Sequence, residues 1–483
     1  TQNYNQLFKW NELTFENPQY IRYLRITGQA NKGLLELGEV ALFDLEGNRV
    51  NLSASASPLF DEQETVPEKT TYYDSAYFDE IYHPRTAWEH IRGIEPYEIS
   101  HPPLGKLIMG VGIRLFGMTP FGWRFMGTLF GVGMLPLLYV FLKNLFGRTS
   151  IATCGTVLLA ADFMHLTQTR LATIDTYAFF FILLMYYFMY RYLTLPAGAP
   201  FRKCALPLFL SGLFWGIGAA SKWTVIYGCT GLVVLYFIGL YQKLRDWPAD
   251  GETGARQPGR LKWAFQILAF SVLVFALIPA AIYTLSYLPY AWAEGDSSLT
   301  GLVGAMWENQ RYMLSYHSGV TDTHPYSSRW YQWLFDIRPI LYYMDNSVPG
   351  YTTRFAAFVN PVVCWGGLLA VLACAAQAVR RRCAKALFIV IGYLAQLVPW
   401  FFIGRITFAY HYFPSVLFLI LALCYVFYSL SEQEELIAWK PAMYAITAGA
   451  AALYALFYPV LVGIQIPSWY GTCLLRWLPS WPF

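Results

Sequence analysis

The sequence is short of charge. Asp, Glu, Lys and Arg make up only 13% of its 483 residues, against about 25% in an ordinary soluble domain. The 34 basic and 30 acidic residues nearly cancel, to a net +4, so no polyanionic partner such as nucleic acid follows from composition. Cysteine is scarce too. Of eight, only Cys473 falls clearly on the outer side assigned below, so no structural disulfide is expected. No stretch has the close His, Cys and carboxylate spacing of a metal site. The first residue is Thr, and no hydrophobic leader precedes Asn3-Tyr4-Asn5, so the sequence reads as a piece of a longer or processed chain, with a first helix expected ahead of it.

What it has in quantity is apolar and aromatic: 56% hydrophobic, 18% aromatic, 17 Trp. Runs of about 20 apolar residues are long enough to cross a bilayer. Ten candidates occur, at 121–142, 149–168, 173–193, 206–221, 224–241, 263–288, 356–378, 386–403, 407–430 and 441–464. Basic residues in short loops orient them. Lys143, Arg148, Arg202, Lys203, Lys243, Arg245, Arg256, Arg260, Lys262, Arg380, Arg381, Arg382, Lys385 and Lys440 gather on one side, which is therefore cytoplasmic. Residues 1–120, the loop 289–355 and the C-terminal tail 466–483 fall outside, with all seven His there or at outer helix ends. The expected protein is an α-helical, multi-pass plasma-membrane protein, with membrane segments over 121–288 and 356–465.

The outer segments carry the polar chemistry. Within 1–60, Tyr20–Ile26 and Leu35–Asp44 partly alternate before the turn signal Glu46-Gly47-Asn48, which predicts a small β segment similar to the last strands of a discoidin-like sandwich. Residues 61–120 hold Asp79-Glu80, His83 and His101, then an apolar run over 104–117, broken by Lys106 and Arg114, that predicts an interfacial helix. The loop 289–355 holds His317, His324, Tyr326 and Trp330.

Charges within a bilayer cost about 2.5–3.5 kcal/mol each on insertion scales. Arg124, Asp162, Arg170, Asp175, Lys222 and Arg405 all lie toward the outer face, where lipid phosphates sit. Transfer of a sugar from a lipid phosphate needs a base for the acceptor hydroxyl and cations for the leaving phosphate. Asp79 and Glu80 supply carboxylates; Lys106, Arg124, Arg170, Lys222 and Arg405 supply cations, so the chemistry requires no metal or other cofactor. Each residue also has a plainer reading: a solvated Asp-Glu pair, snorkelling arginines, a helix-ending Lys222, an Asp175–Arg170 ion pair, and loop packing for His324 and Trp330.

Six motifs occur in order: Phe78-Asp79-Glu80-Ile81-Tyr82-His83, His101-Pro102-Pro103-Leu104-Gly105-Lys106, Pro120-Phe121-Gly122-Trp123-Arg124, Thr169-Arg170-Leu171-Ala172-Thr173-Ile174-Asp175, Ser221-Lys222-Trp223 and His324-Pro325-Tyr326-Ser327-Ser328. Over roughly residues 75–465 the chain resembles the protein O-mannosyltransferase family of GT-C glycosyltransferases in its bacterial form. The resemblance implies a polyprenyl-phosphate-mannose donor, a protein Ser or Thr hydroxyl as acceptor, and inversion at the anomeric carbon. It implies Asp79 as base, Glu80 positioning the acceptor, and Arg124 holding the first outer loop and the donor phosphate. His83, His101, Asp175, His324, Tyr326 and Trp330 are expected around the substrate. The large outer β-trefoil insert of the family's eukaryotic members has no counterpart in 289–355. The alternatives are a GT-C transferase modifying a lipid or wall glycan, and, of another class, a lipid-sugar transporter.

Overall fold

The protein, seen in a computed structural model, is described over residues 10–15, 20–26, 37–50, 57–67, 72–248, 259–433 and 439–483. All ten apolar segments are helical. They are α3 (Pro120–Phe146), the pair α4 (Thr149–Ala160) and α5 (Phe163–Arg170), α6 (Asp175–Leu193), α7 (Phe201–Ser221), α8 (Thr224–Arg245), the run α9 (Arg260–Val272), α10 (Ile278–Leu285) and α11 (Leu288–Ala293), then α14 (Gly367–Arg380), α15 (Ala384–Leu397), α16 (Phe413–Ser431) and α17 (Trp439–Val462). Among the described residues eight are long and apolar enough to cross a membrane, and the bent α4–α5 pair makes nine. The nineteen-residue α6 is outside that count. It is nonetheless wrapped by its neighbours, with Tyr177, Tyr186 and Tyr192 fully buried.

Local chemistry explains the breaks. Asp162 caps α5, accepting from the backbone N–H of His165 at 2.9 Å, while its other oxygen accepts from the N–H of Asn360 at 3.0 Å. The helix bends by 56° there, and a charge that reads as part of the site is a cap. Pro279 has no N–H to give the carbonyl of Phe275; the Trp215 indole donates to that oxygen at 3.1 Å instead. Gly212 and Gly216 let α7 close on Val274 and Pro279 at that point.

Helices α1 (His83–Arg92) and α2 (Leu104–Phe116) precede the bundle. The latter is helical over the apolar run expected there, and a Cβ on Gly112 would meet the Gly122 carbonyl of α3 at 2.4 Å. The 289–355 region is more ordered than a loop: it forms α12 (Leu299–Gly319), the short α13 (Trp330–Trp333) and β1 (Ile340–Asp345). β1 pairs antiparallel with β2 (Tyr351–Ala357), with an irregularity between Leu341 and Tyr343, and β2 pairs with β3 (Gln465–Pro467). The span expected from 356 therefore begins later, after Asn360-Pro361, because a residue before proline favours extended backbone.

Among the described residues the N-terminal β expectation is met only at its turn. Residues 20–26 form no strand, and 27–36 and 51–56 lie outside the described residues. What forms is the turn: the Asp44 carboxylate accepts from the N–H groups of Glu46 and Asn48, and one bridge joins Phe43 to Arg49.

Candidate functional site

The Asp-Glu pair sits in a tight turn, Phe78–Ile81, immediately before α1. Phe78 takes φ +51°, a left-handed conformation that costs a non-glycine residue about 1–2 kcal/mol. Aromatic packing holds it: its ring lies 5.0 Å from Phe408, 5.6 Å from His324, 5.9 Å from Tyr342 and 6.0 Å from Tyr410, all edge-on. The turn sends the two acidic side chains into different surroundings.

Glu80 is completely buried. Its carboxylate accepts from Arg124 Nε at 2.8 Å and Nη2 at 2.7 Å, from the Ala172 N–H at 2.8 Å and from the Tyr77 N–H at 3.0 Å. Arg124 also donates to the carbonyls of Tyr73 and Ser75 at 2.8 and 2.6 Å. The expectation that Glu80 meets the acceptor and Arg124 the phosphate gives way to a different geometry. The pair ties the turn to α3 and to the α5–α6 corner, leaving no carboxylate edge exposed.

Asp79 retains an exposed edge within an enclosed setting. Burial pushes its carboxyl up from the ordinary value; His83 and Lys222 pull it down, and Asp175 and Glu98 add to the rise. Beside it, Lys222 Nζ lies 2.7 Å from Asp175 Oδ1 and 5.6 Å from the centre of the Tyr410 ring. Asp175 thus pairs with Lys222 rather than Arg170, and its buried Oδ2 has no hydrogen-bond partner. Lys222 ends α7 by leaving helical conformation, with φ −159° and ψ 136°.

A second network backs this one. Lys106 is fully buried, and Nζ donates to Glu98 Oε2 and the Glu98 carbonyl, each at 2.7 Å, and to the His101 carbonyl at 3.2 Å. All three ammonium protons are engaged, so Lys106 braces the α1–α2 loop and does not reach a phosphate. Glu98 Oε1 lies 3.1 Å from His101 Nδ1, and Oε2 lies 3.6 Å from His83 Nδ1. Burial raises the Glu98 carboxyl, but the Lys106 ammonium above all, with the hydrogen bond to His101, outweighs it and holds the group well below the usual range. Burial keeps His101 neutral, with its pKa at about 3. His317 Nε2 approaches the Ser100 carbonyl at 2.9 Å, and the rings of His83, His101 and His317 lie in succession 5.5 and 5.6 Å apart.

Two expected cations differ in their freedom. The only hydrogen bond of Arg405 among the described residues is a long 3.4 Å contact from Nη1 to the Ile406 carbonyl, and its charge is felt at Tyr410 and His317. Arg170 lies elsewhere, over the rings of Tyr73 and Phe355 at 5.8 and 5.7 Å, donating to the Leu461 carbonyl at 3.3 Å. Asp79, Asp175, Lys222 and Arg405 thus share one neighbourhood; Arg124 and Arg170 belong to an adjacent one. His324 belongs to the aromatic collar of Phe78, and Tyr326 follows it, its N–H donating to His324 Nδ1 at 3.2 Å. Trp330 stacks on Phe401 at 3.9 Å, apart from the acidic turn. Glu98, Tyr342 and Tyr410 are not among the site residues expected from the sequence. A signal for Glu98 was present in its place three residues before His101 and eight before Lys106.

The arrangement offers a raised carboxylate next to an ion pair with an unused oxygen and a loosely held guanidinium. That set can accept a proton and neutralise a leaving anion. Among the described residues no cluster of three His, Cys, Asp or Glu side chains is placed to hold a metal.

Comparison with known proteins bears on which anion. Residues 117–293 match the family model described as dolichyl-phosphate-mannose-protein mannosyltransferase, and residues 302–481 match the C-terminal four-TMM region of protein-O-mannosyltransferase. The polyprenol-phosphate-mannose–protein mannosyltransferase of Mycolicibacterium smegmatis is 26% identical over 459 residues, covering 84% of this chain and 87% of that protein. The protein of the same description from Corynebacterium glutamicum is 24% identical over 507 residues, covering 92% of each. A solved protein O-mannosyltransferase complex of S. cerevisiae bound to the sugar donor superposes with a TM-score of 0.73 at 14% identity, covering 85% of this chain and 90% of that one, a likeness of fold.

Proposed function

The chain belongs to the protein O-mannosyltransferase family, and from that premise we propose that it moves mannose from a polyprenyl-phosphate carrier to a Ser or Thr hydroxyl of a protein, with inversion, at the non-cytoplasmic face of the plasma membrane. It is a multi-pass, GT-C-type membrane glycosyltransferase. Asp79 takes the proton of the acceptor hydroxyl. The freed oxygen attacks the anomeric carbon from the face opposite the phosphate, the bond between that carbon and the phosphate oxygen breaks, and the lipid monophosphate leaves. Lys222, held by Asp175, and Arg405 receive the growing phosphate charge. Glu80, Arg124, Lys106 and Glu98 act as positioning residues that fix the turn and the α1–α2 loop, so two cations suffice for a monophosphate and no metal is required.

The observation that carries this reading is that Asp79, its carboxyl raised by burial, lies within electrostatic reach of Lys222 and Asp175, which are themselves paired at 2.7 Å. The sidedness rests on the asymmetry of basic loops. Purified protein, a defined polyprenyl-phosphate mannose and a mixture of peptide, lipid and glycan acceptors, with products read by mass spectrometry, tests it. Mannosylated peptide is the expected product. Mannosylated lipid or glycan alone would move the function to another GT-C reaction, and lipid translocation without transfer would make the protein a transporter.

A further inference from the structure

A cavity of about 290 Å³ lies apart from the acidic turn, between one face of α2, the outer end of the α10–α11 run and the flank of α1. Leu107, Val111 and Arg114, spaced by four and three residues, line one wall, and Leu288 and Trp292 line the other. At its inner side stands His90, 5% exposed, with neither ring nitrogen hydrogen-bonded. The Tyr290 ring lies 5.3 Å from it, and its buried hydroxyl has no partner either. We infer that this groove binds an anionic membrane lipid whose headgroup carries free hydroxyls, with Arg114 meeting the phosphate and His90 with Tyr290 meeting a hydroxyl.

The chemistry selects this ligand. Burial and the nearby Lys106 hold the His90 pKa at about 3, so the ring is neutral and offers one donor and one acceptor. A hydroxyl can serve both, whereas an ionised phosphate or carboxylate can only accept. Arg114 is exposed at the rim and has no ion-pair partner among the described residues, which suits a phosphate at headgroup depth. The apolar helix faces, with Trp292 57% exposed and Leu285 55% exposed, suit the acyl chains. The inference does not rest on mannose transfer. It needs only that the protein sits in a bilayer.

The test is lipid retention. Full-length chain is reconstituted into nanodiscs of phosphatidylcholine alone, or with added phosphatidylglycerol or phosphatidic acid, then extracted in detergent and weighed by native mass spectrometry. One phosphatidylglycerol per chain is expected, retained roughly tenfold over the other two, as a hydrogen-bonded charged headgroup allows. Arg114→Gln and His90→Phe should each abolish that preference, with Tyr290→Phe as the second variant should His90→Phe fold poorly. Equal retention of phosphatidylglycerol and phosphatidylcholine would overturn the inference, as would phosphatidic acid bound as well, or variants that keep the preference. Displacement of phosphatidylglycerol by polyprenyl phosphate, one for one, would assign the groove to the donor's carrier and overturn it also.

Discussion

Glu80 and Arg124 give the sharpest energetic expectation. Glu80 is 0% exposed and Arg124 is 16% exposed at the side chain. Glu80→Gln keeps the shape but removes the charge and turns one acceptor into a donor facing N–H groups. Breaking one member of a buried pair costs about 3–5 kcal/mol, and Arg124's partial exposure places Glu80→Gln near the lower end, at about 3 kcal/mol. Arg124→Met should cost as much, since it leaves Glu80 charged and buried and also strips the Tyr73 and Ser75 carbonyls. Because the two singles break the same contacts, Glu80→Gln with Arg124→Met together should cost less than their sum by about 2 kcal/mol, within the range measured for coupled sites. Equilibrium unfolding in detergent micelles, followed by helix signal, gives the cycle. Turnover should fall about a hundredfold in Glu80→Gln, because the loosened turn misplaces Asp79. A Glu80→Gln protein of wild-type stability, or strictly additive costs, would refute the brace and return Glu80 to the acceptor.

Further outcomes follow from the same geometry. Phe78→Gly should be more stable than Phe78→Ala by about 1 kcal/mol, since glycine adopts a positive φ without penalty; both lose the aromatic collar and should lose activity, and Ala more stable than Gly would contradict the strained turn. Arg405→Gln should leave stability unchanged yet lower kcat by about 10²–10³, the usual loss for one donor to a developing oxyanion; an unchanged kcat would remove it from the phosphate. His90 and His101 are held at about 3 and His317 at about 4, all below the unfolded value near 6.5. The unfolded chain therefore binds more protons below that pH, so stability is greatest above about 6.5 and falls as pH drops toward about 3. Unfolding midpoints that stay flat across that window would contradict the neutral, buried histidines.

The membrane segments were legible because a bilayer demands long apolar runs, and α2 because Lys106 and Arg114 interrupt one. Asp79 and Lys222 were legible as charges with no cheap place near lipid. What was hidden depends on which partner a side chain finds. Asp175 has Arg170 five residues away in sequence, yet the end of α7 brings Lys222 to it. Lys106 and Arg124 carry the charge of phosphate ligands, and only the fold shows their hydrogen bonds already taken by Glu98 and Glu80. Glu98 shows its role only once the fold brings Lys106 against it. The β1–β2 pair escaped because both faces are partly covered, so Ile340–Asp345 and Tyr351–Ala357 show no clean alternation. The alternation near Tyr20–Ile26, by contrast, has no ladder to join among the described residues.

The role of Asp79 is open to direct test. A buried carboxyl with a raised pKa is strained when ionised at neutral pH, so Asp79→Asn should fold with stability equal to or above the wild type. Transfer of labelled mannose from polyprenyl-phosphate mannose to a Ser/Thr peptide should fall by about 10²–10⁴, the share general-base catalysis supplies, while donor binding persists. A stable Asp79→Asn protein that still transfers mannose at the wild-type rate would contradict the assignment of the base and the mechanism built on it.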